Sequence, residues 1–138
     1  MTRVRVPLAA RSLRYGLVVV VAAVILVGSV LRPDPAAAPT MGPFGVVGAD
    51  KWTHAFAYAG LTATLLYASV SSDRGSSRIA LAVVLVVGFG IGVELVQWSI
   101  PYRTASAADA LADAVGAGVL ALAWWSLGRF VRFAPLGR

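Results

Sequence analysis

Titratable and amide side chains recur at helical spacing in a chain that is otherwise strongly apolar. Three sets share this spacing: Asp50, His54 and Tyr58; Glu94 and Gln97; Asp109 and Asp113. On α-helices the members of each set lie along one face, since residues three or four apart are neighbours on the helix surface. Carboxyl groups, an imidazole and a phenol on converging faces could supply acid–base chemistry, hydrogen bonds to a ligand or metal coordination.

The composition places these groups in a membrane protein. Of 138 residues, 59% are hydrophobic and only 13% are charged, whereas a soluble domain carries about 25% charged residues. A membrane-spanning helix needs about 20 mostly apolar residues. The stretches that reach or approach this length are residues 15–31, 51–70, 79–100 and 106–127. We predict an all-α fold in which residues 1–138 form a single domain of four transmembrane helices, because an isolated strand would leave its backbone unpaired in lipid.

Local signals predict where these helices begin and end. Ser106, followed three residues later by Asp109, resembles a capping arrangement and predicts the start of the fourth helix. Asp50 is a candidate cap for the second helix. Pro101 ends the third, because proline cannot continue a helix. The connector of residues 32–50 is rich in proline and glycine and is predicted to lack regular structure.

Basic residues predict the orientation. With the N-terminus inside, nine of the 12 fall on the cytoplasmic side: Arg3, Arg5, Arg11, Arg14, Arg74, Arg78, Arg129, Arg132 and Arg138. This bias predicts a multi-pass protein of the cell membrane with both termini cytoplasmic. The first apolar stretch is longer than the usual signal-peptide core of about 7–15 residues, so we expect a retained helix rather than a cleaved leader. The net charge of +6 does not predict nucleic-acid binding, since the arginines flank apolar segments.

On this topology the polar residues converge beneath the outer surface. At about 1.5 Å per residue, Glu94 and Asp113 both lie roughly 10 Å below the outer helix ends. Such groups usually face the bundle interior or a wet cavity, because exposing them to lipid is costly. We predict an outward-facing polar pocket of nine residues: Asp50, Lys51, His54, Tyr58, Glu94, Gln97, Arg103, Asp109 and Asp113. With His54 neutral its formal charge is minus two, which suits ion pairs, a cationic group or a hydrogen-bonded ligand.

Three motifs stand in order along the chain: Asp50-Lys51-x-x-His54-x-x-x-Tyr58, Glu94-x-x-Gln97 with Arg103 after it, and Asp109-x-x-x-Asp113-x-x-Gly116. Together they resemble the VanZ-like family of small integral membrane proteins, over about residues 50–118. The namesake of that family is associated with low-level resistance to the glycopeptide teicoplanin, so the resemblance implies a role in the cell envelope. It implies a family and a compartment rather than a reaction. The family pattern usually has asparagine at the position of Asp113, and the carboxyl group here adds a titratable site.

Several functions remain open at this point. The favoured hypothesis is a pocket that recognises a lipid head group, a lipid-linked wall precursor or a glycopeptide. An intramembrane enzyme is the alternative, with Glu94 or Asp113 as acid–base and Arg103 as charge stabiliser, although no strong nucleophile accompanies them. A proton-coupled exporter using Glu94 is less favoured, because a transporter site belongs near the midplane.

The same residues also have purely structural interpretations. Glu94 and Arg103 could form an ion pair that fixes the bundle, and His54 could be a hydrogen-bonded packing residue. His54 with Asp50 and Glu94 offers imidazole and carboxylate ligands, but a single histidine among mixed carboxylates is poorly specific. We therefore predict no metal and no cofactor from the sequence.

Overall fold

The helices follow the predicted stretches closely. A computed structural model describes residues 3–32, 36, 38–70 and 75–135. In this part of the chain the α-helices are α1 (Arg11–Val30), α2 (Ala49–Ala68), α3 (Ser76–Trp98) and α4 (Ala107–Leu127). The remaining elements are β1 (Val4–Leu8), a 3₁₀ turn (Pro43–Gly45) and β2 (Val131–Pro135). Each helix end lies within four residues of its predicted position.

Three of these helices, α1, α3 and α4, are long and apolar enough to cross a membrane. Their outer faces expose large apolar side chains, among them Val19 on α1, Val84 on α3 and Val119 on α4. A contiguous apolar exterior of this kind marks a surface that contacts something other than water. Helix α2 has a similar length but carries more polar residues, and it packs against all three other helices, most extensively against α4.

The contact between α2 and α4 depends on a glycine. A Cβ atom at Gly116 would lie only 2.0 Å from the carbonyl oxygen of Ala55, so the two backbones touch there. Small residues permit this close approach between helices in membranes. Around it Tyr58, Leu61 and Ala117 form the buried core together with Val86 of α3.

A two-stranded parallel sheet accompanies the helices, and the all-α expectation omitted it. Strands β1 and β2 pair from Val4 with Val131 to Leu8 with Pro135. Both strands contain an apolar–polar alternation, which is a strand signal. The prediction used the arginines of these segments only as orientation signals, and the sheet was not predicted. The hydroxyl of Tyr67 donates to the carbonyl of Pro7 at 2.9 Å and accepts from the amide of Ala9 at 3.0 Å, which ties the sheet to α2.

The helices run up and down, so both described chain ends lie at the same end of the bundle. Arg14 near the start of α1 donates to the carbonyls of Tyr67 at 3.0 Å and Ala68 at 2.8 Å, at the end of α2. Arg78 at the start of α3 donates to the carbonyl of Ser69 at 3.1 Å. The end of the bundle that holds these contacts and the two strands is called the sheet end. The opposite end holds the residues of the predicted pocket and is called the polar end.

Two expectations about the polar end need correction. Asp50 does not cap α2: Gly48 occupies the N-cap position without a side-chain bond, and Asp50 lies in the first turn. The connector of residues 32–50 is not wholly irregular, since its described part contains the 3₁₀ turn and a bridge between Met41 and Gly48. By contrast, Ser106 is the N-cap of α4, as predicted, and its hydroxyl accepts from the amide of Asp109 at 3.4 Å.

Candidate functional site

The polar end brings together the start of α2, the end of α3 and the start of α4. Helix α3 ends at Trp98 rather than at residue 100, so Glu94 lies about 6 Å from the helix end at 1.5 Å per residue. Asp113, six residues into α4, lies about 9 Å deep on the same scale. The two carboxyl groups are therefore not level, but both lie beneath the same end.

His54 and Asp113 link α2 to α4. The imidazole Nδ1 lies 2.9 Å from Asp113 Oδ1. Asp113 is only 1% exposed, and its Oδ2 lies where a Cβ at Gly90 would come within 2.8 Å. The absence of a side chain at Gly90 therefore makes room for this carboxylate beside Tyr58, whose ring occupies the same gap. A buried carboxylate with an imidazole partner is a rigid feature of the interior.

Lys51 forms ion pairs with two carboxylates at the rim. Its ammonium lies 2.6 Å from Asp50 Oδ2 and also contacts Asp109 Oδ1. The side chain of Asp50 is 63% exposed, whereas those of Lys51 and Asp109 are largely buried. Asp109 also faces His54, with 4.0 Å between its Oδ2 and the imidazole Nε2. The rim charges are thus joined to the interior pair through Asp109.

Glu94 approaches this group from α3. Its Oε2 accepts the backbone N–H of Ser106 at 2.7 Å, which satisfies one of the free amides at the start of α4 and places negative charge at the positive end of that helix. The residue is 8% exposed, and its Oε1 is buried without a hydrogen-bond partner in the described chain. Glu94 and Arg103 do not form the ion pair that the sequence suggested, within the part of the chain that is described.

Gln97 and Arg103 instead contact α1. Gln97 Nε2 donates to the carbonyl of Ser29 at 2.9 Å, and Arg103 Nη2 donates to that of Gly28 at 2.9 Å. Tyr102 donates to the carbonyl of Val30 at 3.1 Å. These donors satisfy the last carbonyls of α1, which have no partner within the helix. No residue of α1 was among the nine predicted site residues. The signal that could have found them is that the last carbonyls of a helix need hydrogen-bond donors from elsewhere.

A cleft of about 480 Å³ opens between α1, α2 and α3 at the polar end. Five predicted site residues line it: Asp50, His54, Tyr58, Gln97 and Arg103. The α1 wall consists of Val24, Ile25, Gly28 and Ser29, which were not predicted. The other predicted residues form an adjoining group on the α4 side, which we call the carboxylate cluster: Lys51, Glu94, Asp109 and Asp113.

The cleft and the cluster contain buried polar atoms without hydrogen-bond partners among the described residues. They include the Tyr58 hydroxyl, Gln97 Oε1, Glu94 Oε1 and Asp113 Oδ2. An unpaired buried polar atom costs about 1–3 kcal/mol, so native proteins rarely accumulate several without a functional reason. Two of these groups, the Tyr58 hydroxyl and Gln97 Oε1, belong to residues that line the cleft and lie nearest to a polar group that enters it.

Comparison with known proteins adds no relative. No protein-family model, curated protein or solved structure matches this chain.

Proposed function

We propose that all four helices cross the cell membrane, with both termini in the cytoplasm and the polar end facing the exterior. Helix α2 has 20 residues, which corresponds to about 30 Å of helix and to the thickness of a bilayer core. Most of its polar side chains, such as His54, Tyr58 and Thr62, are buried or half-buried, and the exposed Asp50 and Thr53 lie in its first turns at the polar end. The basic residues of the described chain are concentrated at the sheet end, as cytoplasmic segments require.

We propose further that the cleft recognises the polar head of an amphiphilic cell-envelope molecule: a lipid head group, a lipid-linked wall precursor or a glycopeptide. The observation that carries this proposal is the cleft's mixed wall at one end of the bundle. Val24 and Ile25 offer an apolar surface, while His54, Gln97 and Arg103 offer polar groups. Ligand sites combine mostly apolar walls with a few polar groups that fix orientation.

The resemblance to VanZ-like proteins belongs to this proposal. A member of that family with such a cleft would contribute to tolerance of envelope-directed antibiotics such as teicoplanin by binding the drug or its target. The resemblance rests on residues that line the cleft or the carboxylate cluster, including His54, Gln97 and Asp113. The resemblance supports the cell envelope as the compartment, and the mixed wall of the cleft supports an amphiphilic ligand.

An intramembrane enzyme is the second candidate, and one observation favours it. Glu94 and Asp113 are buried carboxyl groups, each with one oxygen that has no hydrogen-bond partner in the described chain. A buried carboxyl group of this kind is suited to proton transfer with a substrate. Steady turnover of a purified lipid-linked substrate that stops in the Glu94→Gln variant would favour this candidate over simple recognition.

The test of recognition is co-purification. The full chain is extracted in mild detergent, and the amphiphiles that accompany it are identified by mass spectrometry. We expect a defined envelope lipid or precursor with the wild-type protein and its loss in Arg103→Ala, because Arg103 lines the cleft. Arg32→Ala is the matched control: Arg32 is exposed beside Tyr102 near the same end, outside the cleft lining. Equal recovery of the amphiphile with all three proteins would contradict the proposal.

A further inference from the structure

Donor atoms from three helices converge where His54 of the cleft meets Glu94 and Asp109 of the carboxylate cluster. One nitrogen of His54 and one carboxylate oxygen each of Glu94 and Asp109 all lie within 4.8 Å of one another. A point between three such atoms lies about 2.8 Å or less from each, whereas divalent ions bind nitrogen and carboxylate oxygen at about 2.0–2.2 Å. Movements of less than about 1 Å would therefore bring all three donors to coordination distance.

The orientation of His54 suits a ligand role. A carboxylate oxygen can only accept, so the 2.9 Å contact with Asp113 Oδ1 places the proton of a neutral imidazole on Nδ1. The lone pair on Nε2 is then directed away from Asp113. The Nε2 atom itself lies 4.0 Å from Asp109 Oδ2. Metal-binding histidines almost always donate their second ring N–H to a carboxylate, a carbonyl or water. In this protein Asp113 is the carboxylate that accepts the second ring N–H of His54.

Glu94 provides an observation independent of this convergence. It is 92% buried (8% exposed), and one oxygen is engaged by the Ser106 amide while Oε1 has no hydrogen-bond partner in the described chain. Burying a carboxylate without pairing its charge is costly. A cation bound among the three donors would supply the missing partner. Lys51 contacts Asp109 through Oδ1, which leaves Oδ2 for the cation.

We propose that His54, Glu94 and Asp109 bind one divalent transition-metal ion, with Asp113 as the positioning residue for His54. The imidazole favours Zn²⁺ over Mg²⁺, Ca²⁺ and Mn²⁺, which suit sites built from oxygen ligands. Three protein ligands leave at least one coordination position open. Because His54 also lines the cleft, an anionic group there could reach the ion. The ion site does not depend on the proposed recognition of an amphiphile.

The experiment measures metal bound per chain. Full-length protein in detergent is stripped with a chelator, incubated separately with Zn²⁺, Mn²⁺, Mg²⁺ or Ca²⁺, passed through a desalting column and analysed by mass spectrometry of the elements. We expect about one Zn²⁺ per chain, and no retained Mn²⁺, Mg²⁺ or Ca²⁺. His54→Ala and Glu94→Gln should lose the ion. Arg32→Ala is the control, since Arg32 lies near the same end outside the cleft lining and the three donors.

A second measurement keeps the result independent of variant folding. Co²⁺ added to the stripped wild-type protein should give visible absorption bands, and excess Zn²⁺ should remove them. Asp113→Ala should weaken Zn²⁺ binding by about 10–100-fold, and Asp113→Asn, which keeps an acceptor for Nδ1, should restore most of it. Arg103→Ala should retain the ion while losing the amphiphile, which separates the two proposals. Wild-type protein that retains no Zn²⁺ would overturn the ion site, as would unchanged binding in both His54→Ala and Glu94→Gln.

Discussion

His54 Nδ1 and Asp113 Oδ1 lie 2.9 Å apart although 59 residues separate them in sequence. The imidazole side chain is 20% exposed and lines the cleft, whereas the Asp113 side chain is 2% exposed. The pair therefore connects the cleft to the bundle interior. It can form only because α2 and α4 approach closely, as they do at Gly116 one helical turn below Asp113.

Replacing Asp113 with alanine should destabilise the bundle. The change leaves the imidazole N–H without its acceptor in a largely buried position, which costs about 1–3 kcal/mol. Asparagine at the same position retains an oxygen acceptor, so Asp113→Asn should remain close to the wild type. Thermal unfolding in one detergent, followed by fluorescence-detected gel filtration, measures both. If the asparagine variant were as unstable as the alanine variant, the hydrogen bond would not be the source of the effect.

A methyl group at Gly116 should separate α2 from α4. The added Cβ would meet the Ala55 carbonyl oxygen at 2.0 Å, and backbone cannot move aside as a flexible side chain can. Overpacking of this kind costs about 1–3 kcal/mol, and we expect Gly116→Ala to reach the upper part of that range. The same unfolding measurement in detergent reports the loss.

Gly118→Ala is the matched control for that experiment. Gly118 lies on the same helix, and a Cβ there would have nothing within 4 Å. Alanine is a better helix former than glycine by roughly 0.5–1 kcal/mol, so this variant should be as stable as the wild type or slightly more so. Equal destabilisation by both substitutions would indicate an effect on helix α4 itself rather than on its contact with α2.

The helices and their polar end could be predicted from sequence because both depend on local patterns. Length and apolar content locate a helix in lipid, and Ser106 marks the start of α4 by its own side chain. Spacing places His54 and Tyr58 on one face of α2. The basic residues beside the apolar stretches predict helices that alternate in direction. The polar starts and ends of successive helices therefore meet at one end of the bundle.

The partners within the site could not be predicted, because they depend on contacts between distant segments. Arg103 reaches a carbonyl of α1, 75 residues away, rather than Glu94. Glu94 binds the amide of Ser106, a backbone group that carries no sequence signal. The pairing of β1 with β2 likewise follows from the bundle bringing the two chain ends together. Local alternation alone does not predict which segments pair.

Arg14 should contribute to stability through the end of α2. It is 8% exposed and donates to the carbonyls of Tyr67 and Ala68 in the last turn of α2, where carbonyls lack partners within the helix. The carbonyl of Tyr67 also accepts the amide of Val70 at 3.3 Å. Arg14→Ala should cost about 1–3 kcal/mol, since the buried carbonyl of Ala68 loses a charged donor. Arg11→Ala is the control, because Arg11 is exposed and contacts only the Tyr15 ring among the interactions described. Equal unfolding temperatures of the two variants would contradict a capping role.

Cysteine labelling should place the two ends of the bundle on opposite sides of the membrane. The chain has no cysteine, so Ser12→Cys at the sheet end and Thr104→Cys at the polar end each introduce a single exposed thiol. We expect a membrane-impermeant maleimide to label Thr104→Cys in intact cells, and Ser12→Cys only after permeabilisation, because the basic sheet end should remain inside.

The same pair of variants decides whether α2 crosses the membrane. Between the two positions the chain passes through α1, α2 and α3, and three crossings place the thiols on opposite sides. If α2 lay along the surface instead, two crossings would leave both thiols on the same side, and both would respond alike to the reagent. That outcome would remove the enclosed position of His54 and the outward-facing cleft together. Labelling of Ser12→Cys alone in intact cells would keep the spans and invert the orientation.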